Sequence, residues 1–374
     1  MNILIISPFF YPDKGVGALR MSSLSRYLIK KGVKLWILTE KKEIMGTDIK
    51  AEYRFVESVR TGNFLTEFIV NRNRYLFAFR ELSNLEKFDA VIISGGPFYT
   101  FPVAIEAKKK NIRCCLDFRD PWVFDIREDF FNIRNLIRQM YYLPYERKAV
   151  KAVDDVVTVT DRWVKSFRRY YPTCRSKIHL IENGFDDEQL NGLKRMDYER
   201  SAPVTIGVFG KLFYYTDRYS RIFARALKKY TYKISVIQIG EREKQVDEIL
   251  DQINIEHNII ESTGFMSYKR GMEMLMNADY FLIIDARNDA IGTKIYDYIY
   301  LQKPIIYVGP KNTYISEIII KYQLGYSCKN QQEVEKVLED LGVSDKKVQI
   351  NEESRNRFAR SFQNEKWWNM LNEK

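Results

Sequence analysis

The sequence predicts an α/β protein of two domains, each a parallel sheet flanked by helices, on three observations. The chain has 374 residues, long for a single core. Strand-like and helical stretches alternate through it, twice over, as right-handed strand–helix–strand units do. Several strands are continuous apolar runs, such as NILIIS and DAVIIS, the mark of strands buried on both faces.

In the first half the strand-like runs are Asn2–Ser7, Lys34–Thr39, Asp89–Ser94, Arg113–Phe118, Asp155–Thr160 and Lys177–Glu182. The clearest helix between them is Ala18–Lys31, closed by Gly32 as a C′ residue. A second, Ile133–Val153, is long, aromatic and basic. The other half has strands at Val204–Phe209, Lys233–Ile239, Tyr280–Asp285 and Pro304–Val308. Helices fall near Arg218–Tyr230, Glu243–Ile253, Tyr268–Asn277, Lys294–Leu301 and Tyr314–Lys321. Gly192–Pro203 is polar without apolar periodicity and reads as the linker. The domains are therefore placed at residues 1–192 and 203–350. A helix-like tail, Glu352–Asn372 within residues 351–374, carries Phe358, Phe362, Trp367 and Trp368, an apolar side that should dock on the first domain.

Net charge is +11, which suits an anionic partner or simply solubility. No zinc-ligand spacing, RRM-type aromatic motif or basic tail marks a nucleic-acid binder. Cys114, Cys115, Cys174 and Cys328 have no CxxC spacing and read as small buried residues in a reducing compartment. Two histidines, His179 and His257, argue against a His-based metal site. The opening MNILIISPFF lacks a basic leader and reads as a first strand, and no apolar run reaches eighteen residues.

The stretch Asp289–Pro304, DAIGTKIYDYIYLQKP, is the most informative for function. Asp289 and Asp297 flank a Gly-Thr-Lys turn that opens a short helix. Thr293 is placed to cap it, its hydroxyl accepting from a first-turn N–H. The helix start and Lys294 favour a phosphate, and Asp297 can accept from sugar hydroxyls. The plain alternative is ordinary α/β punctuation. After the first strand, Pro12-Asp13-Lys14-Gly15-Val16-Gly17 lets a backbone approach a ligand, or is a flexible loop. Arg20 stands where a third dinucleotide-fingerprint glycine would be, and Glu40 is a poor ribose acid, so a dinucleotide dehydrogenase does not fit. Asp117-Phe118-Arg119-Asp120-Pro121-Trp122 ends the fourth strand. It offers a substrate contact or a carboxylate base, or else an internal Arg–Asp pair with Trp122 as core. Gly210-Lys211 follows a second-half strand, where Lys211 can reach the same phosphates as Lys294. The turn Ser262-Thr263-Gly264-Phe265-Met266 can meet a flat base.

Together these stretches resemble the GT-B glycosyltransferases, specifically the retaining family 4 (glycosyltransferase group 1). ILIISPFFYPDKGVGALRMSSLSRYLIKKG resembles the family's first strand, glycine loop and helix. Ile181–Asp186 (IENGFD) resembles its NG(V/F)D turn, and Phe209–Leu212 (FGKL) its G-(R/K)-L start of the second domain. Gly264–Ser267 through Ala278-Asp279 resembles G-x-(V/L)-(S/P)…A-D. Asp289…Asp297 through Gln302–Ile305 resembles E-x7-E and the following G-K-P-(I/V).

The resemblance implies two Rossmann-like doubly wound domains facing across a cleft, with the C-terminal helix returning to the first. It implies transfer of a sugar from a nucleotide-diphosphate-sugar to a glycan or polyprenyl-linked acceptor, with retention and without cofactor or metal. Gly15 and Gly17 would line the cleft near the acceptor or the transferred phosphate. Gly210, Lys211, Thr293 and Lys294 would hold the diphosphate, Asp289 the sugar, Asp297 the ribose, and Phe265 and Met266 the base. Both acids of E-x7-E are Asp here, one methylene shorter. Only Arg218 stands in for a second basic residue that relatives carry after G-(R/K)-L, and Asp120 for a first-domain His. The implied setting is cytoplasmic, in cell-surface polysaccharide assembly such as capsule or O-antigen. Ile133–Lys151, with Arg134, Arg138, Arg147, Lys148 and Lys151, would rest on the inner membrane face, or else pack on the sheet with a solvated basic side. The rival readings are a GT-B nucleotide-sugar epimerase and a catalytically inactive scaffold.

Overall fold

A computed structural model describes residues 1–13, 15–40, 48–123, 133–289, 291–342 and 348–373. Lys14 and Lys41 lie outside the described residues, as does the side chain of Arg134. The chain divides into two compact units. One is Met1–Asn183 with Arg360–Lys374, the other Gly184–Ala359.

The first unit is built on seven parallel strands in the order β3-β2-β1-β4-β5-β6-β7. They are β1 (Asn2–Ile6), β2 (Lys34–Glu40), β3 (Glu52–Val56), β4 (Ala90–Ser94), β5 (Arg113–Phe118), β6 (Asp155–Thr158) and β7 (Ile178–Leu180). In β1 the two-residue period sends Leu4 and Ile6 to one face and Ile3 and Ile5 to the other. Helix Val16–Lys30 covers the Ile3/Ile5 face through Met21, Leu24 and Leu28, one apolar stripe of helical spacing. Helices Phe64–Leu85 and Ile133–Ala152 cover the opposite face. Asn63 caps the first of these, accepting from Leu65 N and Thr66 N.

The tail is not one continuous helix. Glu352–Arg357 belongs to the second unit and Arg360–Asn372 to the first. Between them Phe358 accepts from Phe185 N at 2.9 Å, and Ala359 bridges Phe185. This pairing draws the backbone out of helical geometry. The closing helix buries Trp367, Met370 and Leu371 on the Ile3/Ile5 face, an i, i+3, i+4 set. Phe362 is 42% exposed and takes no part. Arg113 donates to the Met370 carbonyl at 2.7 Å and to Leu371 at 3.2 Å, satisfying carbonyls that a helix end leaves open.

The second unit has six parallel strands in the order β10-β9-β8-β11-β12-β13. They are β8 (Val204–Phe209), β9 (Ile234–Ile239), β10 (Ile260–Ser262), β11 (Tyr280–Ile284), β12 (Ile305–Val308) and β13 (Gly325–Cys328). Segment 192–203 lies on this unit, tied by Arg195 to the Asn277 amide (2.6 Å) and by Arg200 to Asp279 (2.9 Å). The strands missing from the sequence listing are β3, β10 and β13, each at a sheet edge. β3 exposes Glu52, Arg54 and Phe55 and so carries no apolar run. All four cysteines are buried and free. Among the described residues no helix is long and apolar enough to cross a membrane.

Candidate functional site

In each unit the carboxyl ends of the central strands gather loops, and the singled-out residues lie there. This is where an open α/β sheet binds ligands.

In the first unit the loops after β1, β4 and β5 meet. Arg119, after β5, donates to the carbonyls of Gly95 (3.0 Å) and Gly96 (2.8 Å) after β4. Its guanidinium also fills the space a Cβ at Gly17 would need, so a larger residue there would have to displace it. Gly96 has φ +71°, and a Cβ on it would touch the Asp120 carboxylate at 3.7 Å. Gly17, Arg119 and Asp120 are therefore one assembly, with Asp120 exposed on it. Gly15 is different: exposed, extended, with open space around it. Burial lowers the Arg119 pKa, against the opposing fields of Asp117 and Asp120.

An internal Arg–Asp pair does exist, but between other residues. Arg20 pairs with the fully buried Asp117 at 3.1 Å and donates to the carbonyls of Ile181 (2.9 Å) and Glu182 (2.7 Å). Ser94 also donates to Asp117 at 3.2 Å. The residue that spoils the dinucleotide fingerprint thus ties β5 to the strand end before Gly184. Trp122 is core, 5% exposed.

A cavity of about 580 Å³ in this unit lies at the amino ends of β5–β7. Its Asp155 pairs with Arg113 and His179, each at 2.9 Å, and its Asp154 with Lys108 at 4.0 Å. These charges satisfy one another and explain the fold rather than a reaction.

In the second unit, Gln238 in β9 organises the site. Its amide donates to the carbonyls of Gly210 (2.9 Å) and Glu241 (3.1 Å) and to Glu243 (2.8 Å), and it accepts from Ser262 (2.9 Å). One buried side chain so joins the loops after β8, β9 and β10. Gly210 has φ +72°, and a Cβ on Gly240 would sit 3.2 Å from the Gly210 backbone. The two loops approach as closely as glycines permit.

Lys294 opens the helix Lys294–Tyr300 after β11, and its Nζ donates to the Lys211 carbonyl at 2.9 Å. That bond joins the two lysines singled out in the sequence. Burial pulls the Lys294 pKa down to about 8; Asp285 and Glu243 oppose the drop and Arg287 adds to it. Lys211 is exposed, its Nζ 5.6 Å from the Tyr214 ring. The next ring, Tyr215, lies 4.1 Å from the Arg287 guanidinium and 5.9 Å from Lys294 Nζ. Asp297 is buried and accepts from Tyr268 OH at 2.6 Å. Asp289 is half-buried on the loop before the helix. Phe265 is 81% exposed, while Met266 packs partly against the core.

One expectation changes. Thr293 occupies the N-cap position but makes no capping hydrogen bond: its φ −66°, ψ −25° is helical, and a capping side chain needs extended backbone. Arg218 lies 5.4 Å from the ring of its neighbour Tyr219, and Arg287 is a further cation whose field reaches Lys294. Sequence reading missed Arg287, Tyr215, Tyr268 and Gln238. Of these only Gln238 left a signal, as the one amide in the apolar run ISVIQI. Among the described residues no group of three or more His, Cys, Asp or Glu side chains is placed to hold a metal.

Residues 18–189 match the model of Glycosyltransferase Family 4. No curated protein matches the chain in sequence. The Anabaena protein HepE, solved with UDP and glucose, covers 99% of both chains at 14% identity and a TM-score of 0.67. A Rickettsia africae glycosyltransferase covers 99% of this chain and 97% of its own, at 15% and 0.70. A UDP-GlcNAc 2-epimerase from Methanocaldococcus jannaschii covers 99% of both, at 14% and 0.62.

Proposed function

We propose that this chain, whose fold is GT-B and whose first domain matches Glycosyltransferase Family 4, is a retaining glycosyltransferase. It moves a sugar, of hexose type, from a nucleotide-diphosphate-sugar to a glycan or lipid-linked acceptor. The observation that carries this reading is Lys294. Its half-buried ammonium rests on a neutral carbonyl, and among the described residues no carboxylate lies within ion-pair distance of it. A charge kept from water without a counter-ion is costly, and a diphosphate supplies one. Lys211 stands beside it, and Asp297 offers a carboxylate that a ribose hydroxyl can share with Tyr268.

In this reading Lys211 and Lys294 neutralise the diphosphate as the glycosidic bond breaks, without a metal. Asp289 orients the sugar, and Phe265 and Met266 meet the base. Gly15, Gly17 and Asp120 belong to the acceptor side. The departing diphosphate takes the acceptor proton. The setting is cell-surface polysaccharide assembly on the cytoplasmic face of a membrane. Helix Ile133–Ala152 exposes Leu136, Ile137 and Met140 and carries the exposed Arg147, Lys148 and Lys151, a suitable seat on anionic lipid.

A second reading, a nucleotide-sugar epimerase, draws support from the similarity to the 2-epimerase fold. It predicts isomerised sugar without release of nucleoside diphosphate. The first test is thermal unfolding with UDP, GDP, ADP, CMP and dTDP in the absence of metal. A ligand that binds only the folded chain raises its melting point. One shifted nucleoside diphosphate, and its release from the matching sugar donor on adding acceptor, is the expected result. No shift with any would overturn the transferase and favour a binding scaffold.

A further inference from the structure

We infer that Arg287 is a positioning residue for the donor diphosphate: by occupying Asp285 it keeps Lys294 unpaired and free to meet an anion. The inference rests on the donor-site reading above.

Asp285 follows β11, and its side chain is only 3% exposed. Arg287, two residues on, takes nearly all of its accepting capacity. The Arg287 backbone N donates to Oδ1 at 2.9 Å, Nε to Oδ1 at 3.0 Å and Oδ2 at 3.2 Å, and Nη2 to Oδ2 at 2.6 Å. A carboxylate has about four acceptor positions, so little is left for another donor. Tyr215 carries the guanidinium 4.1 Å from its ring centre.

The other acid whose field reaches Lys294 is Glu243, and it too is engaged. It accepts from Leu212 N at 3.0 Å and from the Gln238 amide at 2.8 Å. The fields of two carboxylates therefore reach Lys294, both are held by other donors, and its hydrogen bond goes to a carbonyl. In a cluster with a free carboxylate, Coulomb attraction would draw the ammonium into an ion pair. The planar fork of an arginine prevents this, because two parallel N–H donors outcompete one ammonium for the same oxygens. Arg287 thus acts through Asp285 and need not touch the ligand.

The test has two arms on the full chain. The first needs no nucleotide. Reductive methylation of Lys294, followed by mass spectrometry across pH, reports its protonation, with a wild-type midpoint of about 8. In Arg287→Ala the freed Asp285 should pair with Lys294, moving the midpoint toward the ordinary lysine value of about 10.4 and slowing labelling at pH 8 at least about tenfold. In Asp285→Asn/Arg287→Ala the midpoint should return to the wild-type value or below. A merely loosened loop would hydrate Lys294 and raise it in both variants. The second arm is calorimetric titration with UDP and GDP, with uridine and guanosine as controls. Diphosphate affinity should fall about tenfold in Arg287→Ala, return to within about threefold in the double variant, and leave the nucleosides unchanged. A Lys294 midpoint unmoved by Arg287→Ala, or equal shifts in the single and double variants, overturns the inference. If wild-type chain binds neither diphosphate, the donor-site reading is what fails, and the labelling arm still decides whether Arg287 controls Asp285.

Discussion

Replacing Lys294 with methionine should make the unliganded protein more stable while disabling it. Methionine keeps the aliphatic stem and removes the charge. The drop from the ordinary 10.5 to about 8 corresponds to about 3 kcal/mol at about 1.36 kcal/mol per tenfold in acidity. Solvent still reaches this side chain, so the share realised as stability is about 1–2 kcal/mol. The sign follows from proton linkage. At pH 7 Lys294 is charged folded and unfolded, and the folded chain bears the whole cost. Between about pH 8 and 10.5 the folded chain releases the proton first, so wild-type stability rises with pH and the gap to the variant closes. Urea unfolding at pH 7 and pH 10 reads this directly: Lys294→Met ahead by about 1–2 kcal/mol at pH 7, with a smaller lead at pH 10. Affinity for the nucleoside diphosphate should fall about ten- to a hundredfold, the worth of a charge-assisted hydrogen bond. A variant less stable than wild type at pH 7 would show that the ammonium is already well compensated, and the reasoning would fail.

Further outcomes follow from the same geometry. Gly17→Ala should drive Arg119 off the Gly95 and Gly96 carbonyls and cost about 1–3 kcal/mol, whereas Gly15→Ala, which meets open space, should leave the melting point unchanged. Asp297→Ala should abolish donor use while circular dichroism shows an intact fold; full activity would remove Asp297 from the site. Tyr268→Phe takes away one hydrogen bond to Asp297 and should weaken donor binding only several-fold, about 1 kcal/mol by calorimetry. Trp367→Ala should cost about 3–5 kcal/mol in urea unfolding, with nucleotide affinity of the folded fraction unchanged, since Trp367 is 1% exposed in the first unit's core.

The sequence spoke most clearly where burial is complete. β1, β4, β8 and β11 are central strands, predominantly apolar, and both sheets could be read from them. β3 and β13 sit at edges where half or more of each strand meets solvent, and the apolar run that reveals a strand is missing. The resemblance to family 4 GT-B proteins was carried by short motifs in order, and the family and fold matches bear it out. Residue partnerships were another matter. Gly17 stood out as a place for close approach, but the group that approaches it, the Arg119 guanidinium, comes from a distant strand end. Arg20 looked like a broken fingerprint and is in fact a buried clamp on Asp117. Asp285 and Arg287 are two residues apart and looked like ordinary loop charges. Only the burial of one and the fork of the other make them a unit.

The return of the chain to its first unit has a consequence for folding. Asn364 donates to Ser23 across 341 residues of sequence, and Trp367, Met370 and Leu371 complete a face that Ile3 and Ile5 begin. The unit Gly184–Ala359 is contiguous, whereas the other is assembled from two stretches far apart in sequence. Its Ile3/Ile5 face is complete only after a very long loop closes, and such non-local closure slows folding and leaves apolar surface open to aggregation meanwhile.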